Sequence, residues 1–293
     1  MAELAPAAAE RGRELSAAGF VLGAATSIPL GAAIATSLFD EVGLVGTVFL
    51  RLLFAAAALL LIWRSPLRGR SRRAWRLIIT FGLVVAAMNT SFYSGIDRIP
   101  LGIVTALAFI GPLSIAVYSS RRSSDVLWIV LAAAGVVLLS PGVGASVDAL
   151  GVFFSLLAGA FWAAYILTSA RVGRELAGGH GLALAMGIGA LAMLGPGIAS
   201  GGSALLAPEV LAVGAGVALL STAVPYSLEL EALRRAPAGT IGVLMSMQPA
   251  TAVVIGLIVL DQGLAASELL AITLIVIASA GALSNARTPP VEV

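Results

Sequence analysis

The chain has 293 residues, of which 59% are hydrophobic and only 11% charged, with a net charge of +2. Soluble domains carry roughly 25% charged residues, so this composition, with a mean hydropathy of +1.04, excludes an ordinary soluble protein and points to an integral membrane protein. The absence of cysteine excludes a disulfide framework and any thiolate metal site.

Residues 1–15 read as a polar, disordered cytoplasmic tail with no cleavable signal. Ten apolar runs follow, at roughly 17–39, 42–63, 77–96, 100–119, 126–144, 149–170, 180–200, 207–230, 238–259 and 267–285. They do not alternate, so helices rather than barrel strands are predicted. Residues 286–293 read as a second cytoplasmic tail. All the basic residues are arginine, a composition that suggests a GC-rich bacterial genome. With the N-terminus inside, 15 of the 17 arginines fall in cytoplasmic segments, while Asp40, Glu41, Asp97, Asp148, Glu209 and Asp261 fall outside with Arg98. This asymmetry predicts cytoplasmic N- and C-termini. Because the arginines sit in loops between spans, they form no nucleic-acid surface, and no nucleic-acid partner is expected.

The chain repeats itself. Arg98-Ile99-Pro100-Leu101-Gly102 with Leu107 and Pro112 is echoed 137 residues later by Arg235-Ala236-Pro237-Ala238-Gly239 with Leu244 and Pro249. Small residues recur every four positions at Gly19, Gly23, Ser27 and Gly31, and again at Gly151, Ser155, Gly159 and Ala163, spacing that lets helices approach closely in lipid. The fold expected is an all-α membrane protein of ten transmembrane helices, arranged as two inverted-topology five-helix repeats over residues 16–144 and 145–285. In such architectures the substrate site lies at the repeat interface, near the midplane.

Proline inside a span leaves the carbonyl four residues earlier without a partner. Pro29, Pro112, Pro225 and Pro249 would free the carbonyls of Ala25, Ala108, Ser221 and Met245. They mark the first, fourth, eighth and ninth spans either as cavity walls or as simply kinked helices. Polar residues at membrane depth narrow the choice. Arg51 serves either structure and gating or a substrate carboxylate. Asn89 with Tyr93, and Trp162 with Tyr165, share helix faces; they line a void for a small amphipathic solute, or else serve interhelical bonding or an interfacial belt. Thr105, Phe109 and Pro112 form one stripe on the fourth span, and Ser246, Gln248, Pro249 and Thr251 a polar midsection on the ninth. Glu229, with Tyr226 on its face, is either a solvated helix end or a protonatable carboxylate that couples transport to a proton gradient. His180, the single histidine, lies in a Gly-rich turn and reads as solvated. No catalytic set, phosphate loop or metal constellation is present, so no enzyme, cofactor or metal is expected. Small residues at Ala132–Gly135 and Ala278–Ala282 serve either packing or contact with a second copy in a homodimer.

Met88-Asn89-Thr90-Ser91-Phe92-Tyr93, Arg98-Ile99-Pro100-Leu101-Gly102-Ile103, Phe109-Ile110-Gly111-Pro112-Leu113, Pro225-Tyr226-Ser227-Leu228-Glu229 and Leu244-Met245-Ser246-Met247-Gln248-Pro249-Ala250 together resemble the threonine/homoserine exporter branch of the EamA-type drug/metabolite transporters. The resemblance covers nearly the whole chain. It implies a bacterial inner-membrane efflux carrier of small amphipathic amino acids, with protons as coupling ion, membrane lipid around it and a central cavity lined by both halves. Similar sequences often carry Glu before the ninth-span proline, where this chain has Gln248; coupling would then fall to Glu229. The Gly-Glu that often ends that span appears here as Asp261-Gln262. Transport of drugs or other metabolites is the alternative on the same fold. A channel or a non-transporting membrane scaffold is the alternative of another class.

Overall fold

The computed structural model describes residues 4–65, 69–120, 125–139, 147–176, 178–233 and 244–285. Among them every regular element is helical. The helices α1 (Leu4–Ala35), α2 (Phe39–Trp63) and α3 (Arg72–Ile96) come first. The fourth apolar run is split into α4 (Leu101–Ala108) and α5 (Ile110–Ser120), followed by α6 (Asp125–Leu138). Then come α7 (Ala149–Glu175) and α8 (His180–Gly201). The eighth run is α9 (Pro208–Ala218), a π turn at Leu219–Ala223, and α10 (Val224–Leu233). The chain closes with α11 (Gln248–Val259) and α12 (Ala266–Asn285). Among the described residues, five helical stretches are long and apolar enough to cross a membrane, and four shorter apolar helices accompany them. Leu61, Val126, Leu127, Val130, Leu257 and Ile258 are more than half exposed, so the outer surface suits lipid rather than water.

Several boundaries differ from the sequence reading. Residues 4–15, expected as a disordered tail, are helical backbone continuous with α1; the segment is rich in Ala, Glu and Arg, all good helix formers. α3 begins at Arg72 rather than 77, because Ser71 caps it by accepting from the Ala74 N–H at 3.0 Å. Apolar content alone does not register such a polar first turn. α7 runs on to Glu175 for the same reason, and Glu175 pairs with Arg73 at 3.0 Å. The echo motif at 235–239, the start of the ninth span and the arginines at 121, 122, 234 and 235 lie outside the described residues.

Packing pairs α2 with α8, α3 with α7, α6 with α12, and α4 with α11; α1 lies against α10 and α11. Small residues make these approaches. A Cβ on Gly111 would collide with the Gly159 carbonyl, so α5 and α7 touch backbone to backbone. Gly135 rests on the Ala271 carbonyl and Ile275, and Ala132, Ala278 and Ala282 are buried. Ala132 and Gly135 of α6 and Ala278 and Ala282 of α12 thus serve packing within the chain, whereas Ala133 and Ala134 are exposed. Gly43 holds a left-handed backbone (φ 70°) at the kinked start of α2, where the Ser200 hydroxyl donates to the Val42 carbonyl at 2.9 Å.

At one end of the bundle, Arg98 pairs with Asp148 at 3.1 Å, and Gln262 accepts from the Leu101 N–H at 2.9 Å. Asp148 also caps α7 through the Leu150 N–H. That backbone donor first, and the Arg98 guanidinium second, hold the Asp148 carboxyl below the usual range. The stability it adds is present above the ordinary carboxylate pKa and is lost as pH falls through the lowered one. At the opposite end, Ser65 contacts His180 Nδ1 at 3.0 Å, and the Trp63 ring meets His180 edge-on. His180 is thus partnered rather than merely solvated.

Gly111→Val should cost about 1–3 kcal/mol by overpacking, read as a lowered melting temperature of the purified protein in detergent. An unchanged transition would mean that α5 and α7 do not meet there.

Candidate functional site

Of the four prolines singled out in the sequence, Pro29, Pro112 and Pro225 act about one turn away from themselves; a further one, Pro196, lies inside α8. At α4/α5 the helix breaks after Ala108, the residue whose carbonyl Pro112 cannot serve. That carbonyl faces the Cα of Gly159 on α7, where an added Cβ would come within 2.9 Å of it. On α1, Pro29 frees the Ala25 carbonyl, which accepts instead from the Thr251 hydroxyl of α11 at 2.7 Å. At the π turn the Val224 N–H bonds back to the Leu219 carbonyl, a register shift of one residue. The group left without a partner is therefore Leu220 O rather than the Ser221 carbonyl expected from sequence. Ser27 of α1 donates to it at 2.6 Å. Pro249 stands in the first turn of α11, where its missing N–H costs no bond within that helix.

These breaks surround a cavity of about 180 Å³. Ile28, Arg51, Asn89 and Phe92 line it from α1, α2 and α3, and Ala108 from the end of α4. Ala158, Trp162 and Tyr165 of α7 form the facing wall, and Ser221, Pro225 and Glu229 close the eighth run. Met245 and Gln248 complete the wall at the start of α11.

Six of the expected site residues meet here: Arg51, Asn89, Trp162, Tyr165, Gln248 and Glu229. The others with described side chains are not among the residues that line it. Tyr93 is fully buried; it accepts a hydrogen bond from Arg51 Nη1 at 3.0 Å, and its ring lies 5.5 Å from the guanidinium carbon. Phe39 packs edge-on against that ring. Tyr93 therefore holds Arg51 rather than lining the void. Phe109 meets Trp162 edge-on at 5.0 Å and fixes the indole in the same way. Thr105 is buried and donates to its own helix at Leu101 O (2.8 Å). Pro112, Ser246 and Pro249 are set back from the surface, and the Tyr226 side chain lies outside the described residues. The sequence names Ala108, Ser221 and Met245 only for their carbonyls, and Met88 and Phe92 only within a motif, while Ala158 and Ile28 do not stand out in it at all. Ala108, Ser221 and Met245 had a signal, since each lies four residues before a proline. Ala158 and Ile28 are small or apolar residues with none.

The electrostatics are sparse and opposed. Arg51 and Glu229 are the ionisable groups on the wall, and among the described residues neither forms an ion pair. Two neutral acceptors, Gln248 Oε1 and Ser221 Oγ, are buried there with no hydrogen-bond partner among the described residues. A buried polar group left unpaired costs about 1–3 kcal/mol, so these atoms are held ready at the expense of stability. Asn89 is anchored by donating Nδ2 to Val85 O at 2.8 Å. The remaining surface is aromatic and aliphatic.

A helical bundle with an apolar exterior and a small cavity carrying both signs of charge is built as a membrane transport protein. Residues 149–284 match the EamA-like transporter family. Over 273 residues, spanning 91% of each chain, the sequence is 44% identical to the threonine/homoserine exporter RhtA of Salmonella typhimurium strain LT2, and to the same extent to that of Escherichia coli K12. It is 28% identical over 236 residues to the uncharacterized transporter YwfM of Bacillus subtilis, covering 78% of this chain and 80% of that one. A solved crystal structure of 18% identity superimposes with a TM-score of 0.58 over 89% of this chain and 95% of its own, which shows a shared fold. The chain belongs to the EamA-like transporter family and is a transporter, not an enzyme.

Removing an unpartnered buried acceptor should stabilise the ligand-free protein. Ser221→Ala is expected to raise its melting temperature by a few degrees, read by circular dichroism. A lowered melting temperature would show that the hydroxyl has a structural partner.

Proposed function

We propose that this protein exports small amphipathic amino acids, threonine and homoserine first, across the bacterial inner membrane by proton-coupled alternating access. The observation that carries the reading is the cavity. It offers one guanidinium, one carboxylate and uncharged acceptors within an otherwise apolar wall, a complement to a zwitterion with a short side chain. Its size adds to this. Pockets for drug-sized ligands measure roughly 300–1,000 Å³, whereas this cavity measures about 180 Å³, which favours an amino acid over a drug. The names of the 44%-identical relatives point the same way.

The proposed architecture is ten spans in two inverted repeats, residues 16–144 and 145–285, with both termini in the cytoplasm. The packing pattern supports it. Taking α4/α5, α9/α10 and the α11 region as one span each, α2–α8, α4–α11 and α6–α12 pair each span with its counterpart five spans on. The α3–α7 contact likewise has its counterpart in α1–α10. The end contacts fit as well, since Arg73–Glu175 and Ser65–His180 join segments expected inside, and Arg98–Asp148 joins segments expected outside. Arg51 is assigned to the substrate carboxylate and Glu229 to proton coupling, because Gln248 cannot titrate.

In liposomes, labelled threonine should accumulate by counterflow against internal threonine or homoserine, with saturation and trans-stimulation. A flux that neither saturates nor responds to trans substrate would instead indicate a channel, and no uptake of any common amino acid would sink the proposal.

Glu229→Gln should reduce gradient-driven transport by about tenfold or more while sparing exchange; equal loss of both would remove Glu229 from coupling. Charge-assisted hydrogen bonds contribute about 1.5–3 kcal/mol, so Arg51→Ala should weaken threonine binding roughly 10- to 150-fold in protein that still melts cooperatively. Undiminished binding would take Arg51 out of the site.

A further inference from the structure

We infer that Gln248 and Ser221 together form the ammonium pole of the cavity, so that the substrate lies with its carboxylate toward Arg51 on α2 and its amino group between α11 and the π turn. The inference rests on the amino-acid reading above and adds an orientation and two binding residues to it.

The argument begins with the unpartnered atoms. Gln248 is 3% exposed and Ser221 is 5% exposed, both line the cavity, and Gln248 Oε1 and Ser221 Oγ lack hydrogen-bond partners among the described residues. They come from separate elements, α11 and the π turn. A single hydroxyl donor serves one acceptor, whereas an ammonium carries three donors and serves both. Glu229 lies on the same eighth run and adds a favourable sign. The guanidinium, a donor-only group, is carried on α2 and steadied by Tyr93.

Two features limit the backbone donors and favour the acceptors of this region. The N-terminus of α11 would ordinarily attract an anion, but Pro249 in its first turn has no N–H, and the Thr251 N–H is taken by Met247 O at 3.0 Å. The π turn brings Ser221 forward, because the same register shift that orphans Leu220 O is locked by Ser27. Gly31 makes room for it, since a Cβ there would collide with Ser221 Oγ. Gly31→Ala should therefore displace the hydroxyl.

The test compares three probes on the purified full-length protein in liposomes: threonine, 3-hydroxybutyrate, which lacks the amino group, and 2-aminobutyrate, which lacks the hydroxyl. Each competes with labelled threonine. Wild type should prefer threonine to 3-hydroxybutyrate by more than tenfold. Gln248→Leu and Ser221→Ala should each shrink that preference by about tenfold by weakening threonine and 2-aminobutyrate alike while sparing 3-hydroxybutyrate, so that the preference over 2-aminobutyrate is unmoved. Gln248→Glu, of the same shape and a stronger acceptor, should preserve it. Should Gln248→Leu fail to fold, Ser221→Ala and Gln248→Glu decide. A preference over 3-hydroxybutyrate that is unchanged in folded variants, an equal loss for all three probes, or a collapse of the preference over 2-aminobutyrate each overturns the assignment. Wild-type protein that ignores threonine sinks the functional reading and this inference together; wild-type transport with unaltered preferences sinks the inference alone.

Discussion

Lipid offers no hydrogen bonds, so a carbonyl that loses its N–H in a membrane must find a partner in the protein or face a wet cavity. The arrangement of this molecule follows from that constraint. Pro29 and the π turn each orphan a carbonyl, and each is satisfied by a hydroxyl from another helix: Ala25 O by Thr251, and Leu220 O by Ser27. These bonds tie α1 to both α11 and the eighth run. A break in one helix is thereby secured to its neighbour rather than left soft.

The same breaks generate the cavity. A continuous helix would bury Ala108, Ser221 and Met245 among side chains, whereas interrupted ones let their surroundings line a void. Glycines then bring the walls together, as at Gly111 on Gly159. What remains inside is a short list of polar groups, of which Arg51, Asn89 and Trp162 are steadied from behind. Tyr93 holds Arg51 and Phe109 holds Trp162. A preorganised wall of this kind costs stability, visible in the two buried acceptors without partners, and leaves binding enthalpy for a ligand that supplies donors.

Much of this could be read from the sequence because membrane depth makes polar residues and prolines conspicuous. Arg51, Asn89, Trp162, Tyr165, Gln248 and Glu229 were found on composition and helical spacing alone. Tyr93, Thr105 and Phe109 sit one layer back because spacing gives a helix face, while depth from the void depends on neighbouring helices. The π turn is invisible for a related reason: the hydroxyl that satisfies its freed carbonyl belongs to Ser27 on α1, far away in sequence. Ala158 and Ile28 carried no signal, since a small or aliphatic residue facing a cavity looks like one facing another helix. The capped, polar ends of α3 and α7 were missed because apolar runs mark the lipid and not the helix.

The central claim is that this cavity is where a small zwitterion rests. It is tested most directly by determining the structure of the protein saturated with threonine. The account predicts density for one molecule between Arg51 and the Gln248–Ser221 pair, with the carboxylate on the guanidinium. Density lodged elsewhere, such as the apolar groove between α5 and α6 lined by Leu113 and Ala132, or an unfilled cavity at saturating threonine, would contradict it.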